Sequence, residues 1–282
     1  MLEPERVRIF SGNERLPNIP VAHRGLSYGD AVFETMRVHA GHVLWWPRHW
    51  ARLCRGAAVL RLPLPDPQQV LDESCNLFSD GGDGVLKLQL SRAGDRGYAP
   101  SADAKPVWML SRHSLPPASS AAGLVLRWCR TTLAVQPLLA GIKHANRLEQ
   151  VLARLEWHDL DPDEQAINEG LLCDTDGRVV SAISANLFVL QDGYWSTPPV
   201  DRCGVAGVCR EWALQALPAS ERILQRDDVL AADAVFLCNA VRGILPVRQL
   251  GQRVWPPHPA IGRAQALLAQ AHPGFAVTVE AS

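Results

Sequence analysis

Lysine and tyrosine are scarce in this sequence, with three of each among 282 residues. No apolar run approaches the roughly 20 residues needed to cross a bilayer, so we expect no membrane partner. The first ten residues carry two Glu and two Arg and lack an apolar core, which argues against a secretory signal. The formal net charge is −1, so no global positive field favours a nucleic-acid partner.

Cysteine gives no sign of a disulfide framework or a metal site. The seven cysteines are scattered, no CxxC or HExxH occurs, and no His, Cys and acidic cluster has zinc spacing. We therefore expect reduced, mostly buried thiols in a cytoplasmic protein that binds no metal.

Hydrophobic residues make up 47% of the chain, which is typical of a folded protein. Strands are predicted at 31–38, 42–46, 124–129 and 235–238, and at 86–90 by alternation, while 107–110 is a short apolar segment. Helices are predicted from Pro47, by helical spacing, and at 261–271. A further amphipathic helix is marked by Leu148, Val151, Leu152 and Leu155 on one face. Turns are expected at 40–41, 176–177 and 192–193.

Strands and helices are mixed in both halves, which predicts the α+β class with two α/β subdomains. The best linker is the segment 116–120, which lacks large apolar side chains. We expect a smaller N-terminal domain at 1–117 and a larger C-terminal domain at 118–282 that carries Lys143.

Lys143 lies near a predicted strand-to-helix junction. A lysine beside a helix start is usually a solvated surface residue. However, a desolvated lysine amine can lose its proton and form a Schiff base with an aldehyde, which arginine cannot do. From the residue alone, both interpretations stay open.

Seven segments in order resemble the fold-type IV pyridoxal-phosphate enzymes, and among them the aminodeoxychorismate lyases. The run GIKHANRLEQV resembles the family's lysine motif, and HWARL resembles its H-x-x-R-L segment. The remaining similar segments are 24–35, 91–98, 184–188, 204–210 and 238–240, so the resemblance spans about 20–250. It implies the architecture of the D-amino acid aminotransferases.

The resemblance also implies cofactor-binding residues. Lys143 would hold pyridoxal 5'-phosphate covalently and move the proton, while the Arg52 guanidinium would fork onto two phosphate oxygens. Backbone N–H groups would add to the phosphate site at Gly207, Val208, Asn239 and Ala240. Each of these residues also has a plain structural interpretation, as a solvated helix residue or a turn.

The lyase substrate carries two carboxylates, so its site needs further cations. Arg92 and Arg96 are the best candidates, and Tyr28 and Tyr98 could offer a hydroxyl and a flat face for the substrate ring. Arginines that keep a surface loop soluble are the plain alternative.

Ser181 departs from the family pattern, because a Glu usually stands five residues before the Asn of the N-L-F motif. That Glu keeps the pyridine nitrogen protonated and strengthens the electron sink. A serine hydroxyl can hydrogen-bond the nitrogen but offers no such charge. The change counts against transamination, which depends most on that sink, and it leaves open an impaired homologue.

The resemblance therefore implies a cytoplasmic, homodimeric lyase that converts 4-amino-4-deoxychorismate to 4-aminobenzoate and pyruvate in folate synthesis. Two alternatives stay open. One is a branched-chain or D-amino acid aminotransferase of the same fold, and the other is a non-catalytic protein that binds pyridoxal phosphate.

Overall fold

The computed structural model describes residues 6–19, 23–94, 96–118, 120, 122–159 and 167–276. The chain forms two compact units. Unit 1 consists of Met1–Pro116 together with Ile142–Asn146, and unit 2 of Pro117–Gly141 together with Arg147–Ser282. The division at residue 117 stays a prediction as a domain boundary. By contacts, however, the short segment with Lys143 groups with the N-terminal unit.

Unit 1 contains an antiparallel sheet. Its strands are β1 (Val7–Ser11), β2 (Glu14–Leu16), β3 (Ala31–His39), β4 (His42–Val43), β5 (Gly84–Arg92) and β6 (Pro106–His113). They pair in the order β2-β1-β6-β5-β3-β4. The helices of this unit are α1 (Arg24–Tyr28), α2 (Trp46–Leu60) and α3 (Pro67–Asn76).

Strand β3 shows the alternation expected of a sheet with one covered face. Val32, Glu34, Met36 and Val38 are buried, and the residues that alternate with them, Phe33, Thr35 and Arg37, are partly exposed. Leu53 and Ala57 of α2 belong to the same core cluster. A Cβ at Gly56 would lie 2.9 Å from a Val32 methyl carbon, so this glycine allows α2 to approach β3 closely.

The predicted turn at 40–41 joins β3 to β4, and both of its residues have positive φ angles. Strand β4 is shorter than the predicted 42–46. Trp45 adopts a left-handed conformation with φ 54° and Trp46 already begins α2, where Pro47 occupies the first turn. The proline fits there because its missing N–H has no partner at a helix start.

Unit 2 contains the larger sheet. Its strands are β7 (Leu124–Trp128), β8 (Glu169–Cys173), β9 (Val179–Ala182), β10 (Asn186–Gln191), β11 (Tyr194–Thr197), β12 (Ala219–Glu221), β13 (Ala234–Asn239), β14 (Gly243–Leu250) and β15 (Arg253–Val254). The order is β12-β11-β10-β13-β14-β7-β8-β9, with β15 paired to β14. The predicted turns at 176–177 and 192–193 join β8 to β9 and β10 to β11.

The helices of unit 2 are α4 (Leu148–Leu155), α5 (Val208–Ala216), α6 (Arg226–Ala231) and α7 (Pro259–Ala271). Short 3₁₀ turns lie at Pro137–Leu139, Glu156–Asp159 and Pro273–Phe275. The core contains inward side chains of β8, β10 and β13, such as Leu171, Leu187 and Leu237. Both units mix sheet and helix, so the α+β prediction is confirmed.

Helix α4 forms as predicted, but its apolar face is exposed in the single chain. Leu148, Val151, Leu152 and Leu155 are between 46% and 75% exposed. The inward face instead presents the fully buried Ala153. At the helix end, the Glu156 carboxylate accepts hydrogen bonds from the N–H groups of Arg130 and Thr131. The amphipathic pattern therefore marks an outer surface.

All seven cysteines are free, and five of them are buried. Within the part of the chain that the structure describes, no helix is long and apolar enough to cross a membrane.

Candidate active site

Lys143 is anchored to the edge of a strand through its backbone. The Phe33 N–H donates to the Lys143 carbonyl at 2.9 Å, and the Ala145 N–H donates to the Ala31 carbonyl at 2.8 Å. Val32 and His144 form an antiparallel bridge between these two bonds. The short segment therefore extends the pairing of β3, and the lysine side chain starts from a fixed point.

The Lys143 side chain lies over an aromatic face. Its Nζ is 4.3 Å from the centre of the Phe33 ring, and the Nζ of Lys87 is 5.5 Å from the same centre. Ring faces attract such cations. Two of the three lysines of the protein therefore flank one ring, which the sequence did not predict.

A buried charged cluster lies in unit 1 between β3 and α2. Glu34 of β3 is 1% exposed, while His49 and Arg52 of α2 are 0% and 5% exposed. The Arg52 Nε donates to Glu34 Oε1 at 2.9 Å, and its Nη2 donates to Oε2 at 2.5 Å. The His49 Nδ1 lies 2.6 Å from the same Oε2. One carboxylate thus holds two side chains that lie one helical turn apart.

The cluster perturbs the pKa values of its members. Burial alone would raise the pKa of Glu34, but the charge and hydrogen bonds of Arg52, with those of His49, lower it to about 2. Burial lowers the pKa of His49, and the positive charges of Arg52 and Lys143 act in the same direction against the opposing effect of Glu34. Glu34 is therefore ionised at neutral pH, and the neutral form of His49 is favoured.

A second group of predicted residues surrounds the loop after β5. The buried Arg24 donates from Nη1 to the Gly97 carbonyl at 2.7 Å, and the Tyr28 hydroxyl accepts from the Gly97 N–H at 2.8 Å. The rings of Tyr28 and Tyr98 have centres 5.7 Å apart. The structure thus brings the two predicted tyrosines together.

The two predicted arginines of this loop differ in setting. Arg92 is 6% exposed, and its guanidinium donates to Asp30 at 3.0 Å and to the Arg61 carbonyl at 3.1 Å. Arg96 is exposed to solvent, as is Tyr98. Arg92 therefore already links Asp30, just before β3, to Arg61, just after α2, whereas Arg96 presents its charge to solvent.

In unit 2, Gly207 is the N-cap residue of α5, and Val208 is the first residue of the helix. A Cβ at Gly207 would lie 2.0 Å from Asn186 Oδ1, so only glycine fits there. The Asn186 side chain also donates to the Val205 carbonyl at 3.0 Å. N–H groups in the first turn of a helix lack partners within it and attract anions, which suits a phosphate contact.

The Asn239 side chain shapes the turn after β13. Its Oδ1 accepts from the N–H groups of Val241 and Arg242 at 3.0 and 2.8 Å, and its Nδ2 donates to the Ser184 carbonyl at 3.3 Å. Ala240 is buried beside it. The Asn239 side chain therefore fixes the backbone of this turn.

Ser181 is a buried residue of β9, opposite Leu172 of β8. Glu169 lies at the start of β8, the strand that pairs with β9. Its carboxylate accepts a hydrogen bond from the Ser184 hydroxyl, and the Gly170 N–H donates to it at 3.1 Å. Glu169 is thus hydrogen-bonded to Ser184, which lies three residues along the chain from Ser181.

A family model described as amino-transferase class IV matches residues 31–250, a stretch that includes β3, Lys143 and the turn after β13. This protein belongs to the class IV aminotransferase family. The cofactor of that family is pyridoxal 5'-phosphate.

Relatives of this chain include an aminodeoxychorismate lyase of Vibrio harveyi, 35% identical over 239 residues, with 82% of this chain and 86% of the relative covered. A crystal structure of 4-amino-4-deoxychorismate lyase from Pseudomonas aeruginosa is 41% identical. It has a TM-score of 0.85 and covers 94% of this chain and 99% of that one. A putative branched-chain-amino-acid aminotransferase of Methanocaldococcus jannaschii is 27% identical over 252 residues, with 86% of both chains covered.

The residues present fit the family's cofactor. The His49 Nε2 is buried and has no hydrogen-bond partner among the described residues, so a polar group is missing beside the charged cluster. The Arg52 guanidinium of this cluster also suits a phosphate, because its donors can fork onto two oxygens.

Sequence reasoning missed Glu34 and His49 as members of this cluster. The signal was present in β3, where Glu34 occupies a core-facing position between Val32 and Met36. A carboxylate at such a position needs a buried cation, and the two basic residues of the HWARL segment supply its partners.

Proposed function

We propose that the protein is a pyridoxal-phosphate-dependent lyase that converts 4-amino-4-deoxychorismate to 4-aminobenzoate and pyruvate. The observation that carries this proposal is the 41% identity to the Pseudomonas aeruginosa lyase over 94% of this chain. The identity to the aminotransferase relative is lower, at 27%.

Lys143 is the proposed catalytic residue. Its amine would hold the cofactor through the aldehyde, and the same amine would take the proton from the amine-bearing ring carbon of the substrate. The cofactor supplies the electron sink for that carbon. The bond between the ring carbon and the enolpyruvyl oxygen would then break, the ring would become aromatic, and the enolate that leaves would take up a proton to give pyruvate.

The other proposed cofactor contacts are of two kinds, those to the phosphate and one to the pyridine nitrogen. Arg52 neutralises the phosphate, and backbone N–H groups bind its oxygens at Gly207, Val208, Asn239 and Ala240. Ser181 offers a hydroxyl to the pyridine nitrogen. Its neutrality supports elimination over transamination, because an elimination with a good leaving group depends less on a protonated ring.

The proposed substrate contacts lie in the loop after β5 and at the end of α1. Arg96 offers an exposed cation for a carboxylate, and Tyr28 and Tyr98 offer adjacent rings. Arg92 is also proposed to bind a carboxylate. Its existing bond to Asp30 means that it would orient the loop as well.

We also propose that the protein is a cytoplasmic homodimer. The exposed apolar face of α4 supports self-association, since large aliphatic groups on a surface mark interaction sites. Its spacing at residues 148, 151, 152 and 155 is the same when the chain direction is reversed. An interface about a two-fold axis uses the same patch on both copies, so one apolar stripe can cover its own copy.

The test is to supply 4-amino-4-deoxychorismate to the holoenzyme and measure 4-aminobenzoate and pyruvate. Equal amounts of the two products are expected, and the Lys143→Ala variant should form neither. Keto-acid release from a branched-chain or D-amino acid with 2-oxoglutarate, without 4-aminobenzoate, would instead identify an aminotransferase. Cofactor binding with no turnover of either substrate would identify a non-catalytic homologue.

A further inference from the structure

Glu34 is a buried charge of unit 1, with a side chain that is 1% exposed. Its two oxygens receive three hydrogen bonds, two from Arg52 and one from His49. A buried carboxylate that served only stability would be replaceable, because a well-packed apolar pair often stabilises a protein equally well. Its neighbours Val32 and Met36 in the pattern of β3 are of this apolar kind.

The contact between Glu34 and Arg52 fixes the direction of the guanidinium. Nε and Nη2 lie on one edge of that planar group, and both are bound to the carboxylate. The edge that includes Nη1 must then point away from Glu34, since the guanidinium is rigid. An arginine side chain without such a clamp would lose rotamer freedom on binding an anion.

We propose that Glu34 is a positioning residue that sets the orientation of Arg52 for the cofactor phosphate, with His49 holding the same carboxylate at Oε2. The inference rests on the proposed function of Lys143 and Arg52. Glu34 itself touches no phosphate, because like charges repel. Glu34 therefore affects phosphate binding by orienting Arg52 and not by adding charge to the site.

The experiment compares two aldehydes, pyridoxal 5'-phosphate and pyridoxal, which differ only in the phosphate. Affinity for each is measured by titration of the visible absorbance band in wild type and Glu34→Gln. We expect Glu34→Gln to weaken the binding of pyridoxal 5'-phosphate by about ten- to hundredfold, and the binding of pyridoxal by less than about threefold. A merely structural role would weaken both aldehydes equally, and that result would overturn the proposal.

Two further variants test the route through Arg52. In an Arg52→Gln background, adding Glu34→Gln should change the preference for the phosphorylated aldehyde no further, as expected of coupled residues. Asp30→Asn is the matched control, because Asp30 also pairs with buried arginines, Arg24 and Arg92. It should leave the preference unchanged, and a loss of preference as large as in Glu34→Gln would overturn the assignment.

Glu34→Asp is a second test that does not depend on the folding of Glu34→Gln. It keeps the negative charge and withdraws the carboxylate by one methylene. A partial loss of the preference is expected, and an unchanged preference would overturn the proposal. Borohydride reduction of the wild type with pyridoxal 5'-phosphate tests the proposed function separately from the inference about Glu34. An unlabelled Lys143 peptide overturns the proposed function and this inference together, whereas a labelled peptide with equal losses overturns the inference alone.

Discussion

Lys143 combines a fixed backbone with an amine held over the Phe33 ring. Replacement by alanine removes the amine but leaves the backbone bonds to β3. Lys143→Ala should therefore fold normally and lose the visible absorbance band after dialysis against buffer without cofactor. Absorbance spectra test the loss of the band, and thermal unfolding tests whether the variant folds normally. Lys87→Ala is the control, because Lys87 lies near the same ring, and it should keep the band. An unchanged spectrum in Lys143→Ala contradicts the cofactor assignment.

Through its proposed contact, Ser181 determines how strongly the protein can keep the pyridine nitrogen protonated. Ser181→Glu would place a carboxylate there and strengthen the electron sink. We expect residual transaminase activity to rise by about tenfold, since a single well-placed charge is worth about 1.4 kcal/mol or more. Coupled assay of keto-acid release measures this. Ser181→Gln provides similar bulk without charge and should show no rise, and an equal rise in both variants would place Ser181 away from the nitrogen.

The Glu34 and His49 pair predicts how stability depends on pH. The pKa of Glu34, about 2, lies below its ordinary 4.5, and the pKa of His49 lies below its ordinary 6.5. In both cases the unfolded chain takes up the proton first as pH falls. The free energy of unfolding should therefore decrease below about pH 6.5 through His49, and further between about pH 4.5 and 2 through Glu34.

Urea unfolding at a series of pH values checks this expectation. His49→Gln should flatten the slope between about pH 7 and 5, because it removes one group that the unfolded state protonates first. His23, whose pKa is also lowered by burial, contributes in the same interval. The variant His23→Gln is therefore compared with His49→Gln over the same pH interval. If His49→Gln leaves the slope of the free energy of unfolding against pH unchanged, the prediction is contradicted.

Among the structural elements, the hairpin between β3 and β4 carries local strain. Ala40 has φ 48° and Gly41 has φ 78°, both in the left-handed region. Asparagine tolerates that region better than alanine, so Ala40→Asn should stabilise the protein by about 1 kcal/mol. Gly41→Ala should destabilise it, because its Cβ would also lie 3.2 Å from the Phe78 carbonyl oxygen. Chemical denaturation measures both, and opposite signs are required.

The elements show which features a sequence can predict. Strand β5 and the turns at 176–177 and 192–193 follow from local alternation and turn residues, and they formed as expected. The Glu34 cluster depends on the register of β3 against α2, which no local pattern contains. The seven segments did identify the family, but the bonds that engage Arg92 became visible only with the fold.

At the scale of the whole molecule, the exposed face of α4 predicts self-association. Leu152→Glu places a charge in the middle of that face, and burying it between two copies would be costly. We expect wild type to sediment as a dimer and Leu152→Glu as a monomer or a much weaker dimer. Leu267→Glu is the control, since Leu267 of α7 is 44% exposed outside the stripe. A dimer unaffected by Leu152→Glu would place the interface elsewhere.

The segment Ile142–Asn146 makes the two units interleaved in the chain rather than consecutive. The polypeptide passes from unit 1 to unit 2 at residue 117, returns at residue 142, and leaves again at residue 147. A gene split at codon 117 would consequently separate β3 from the lysine strand that pairs with it. The first fragment would then lack the segment that unit 1 takes from residues 142–146, whereas the second would carry all of unit 2. Lys143 should therefore be held against β3 only when both polypeptides are produced together and complement each other.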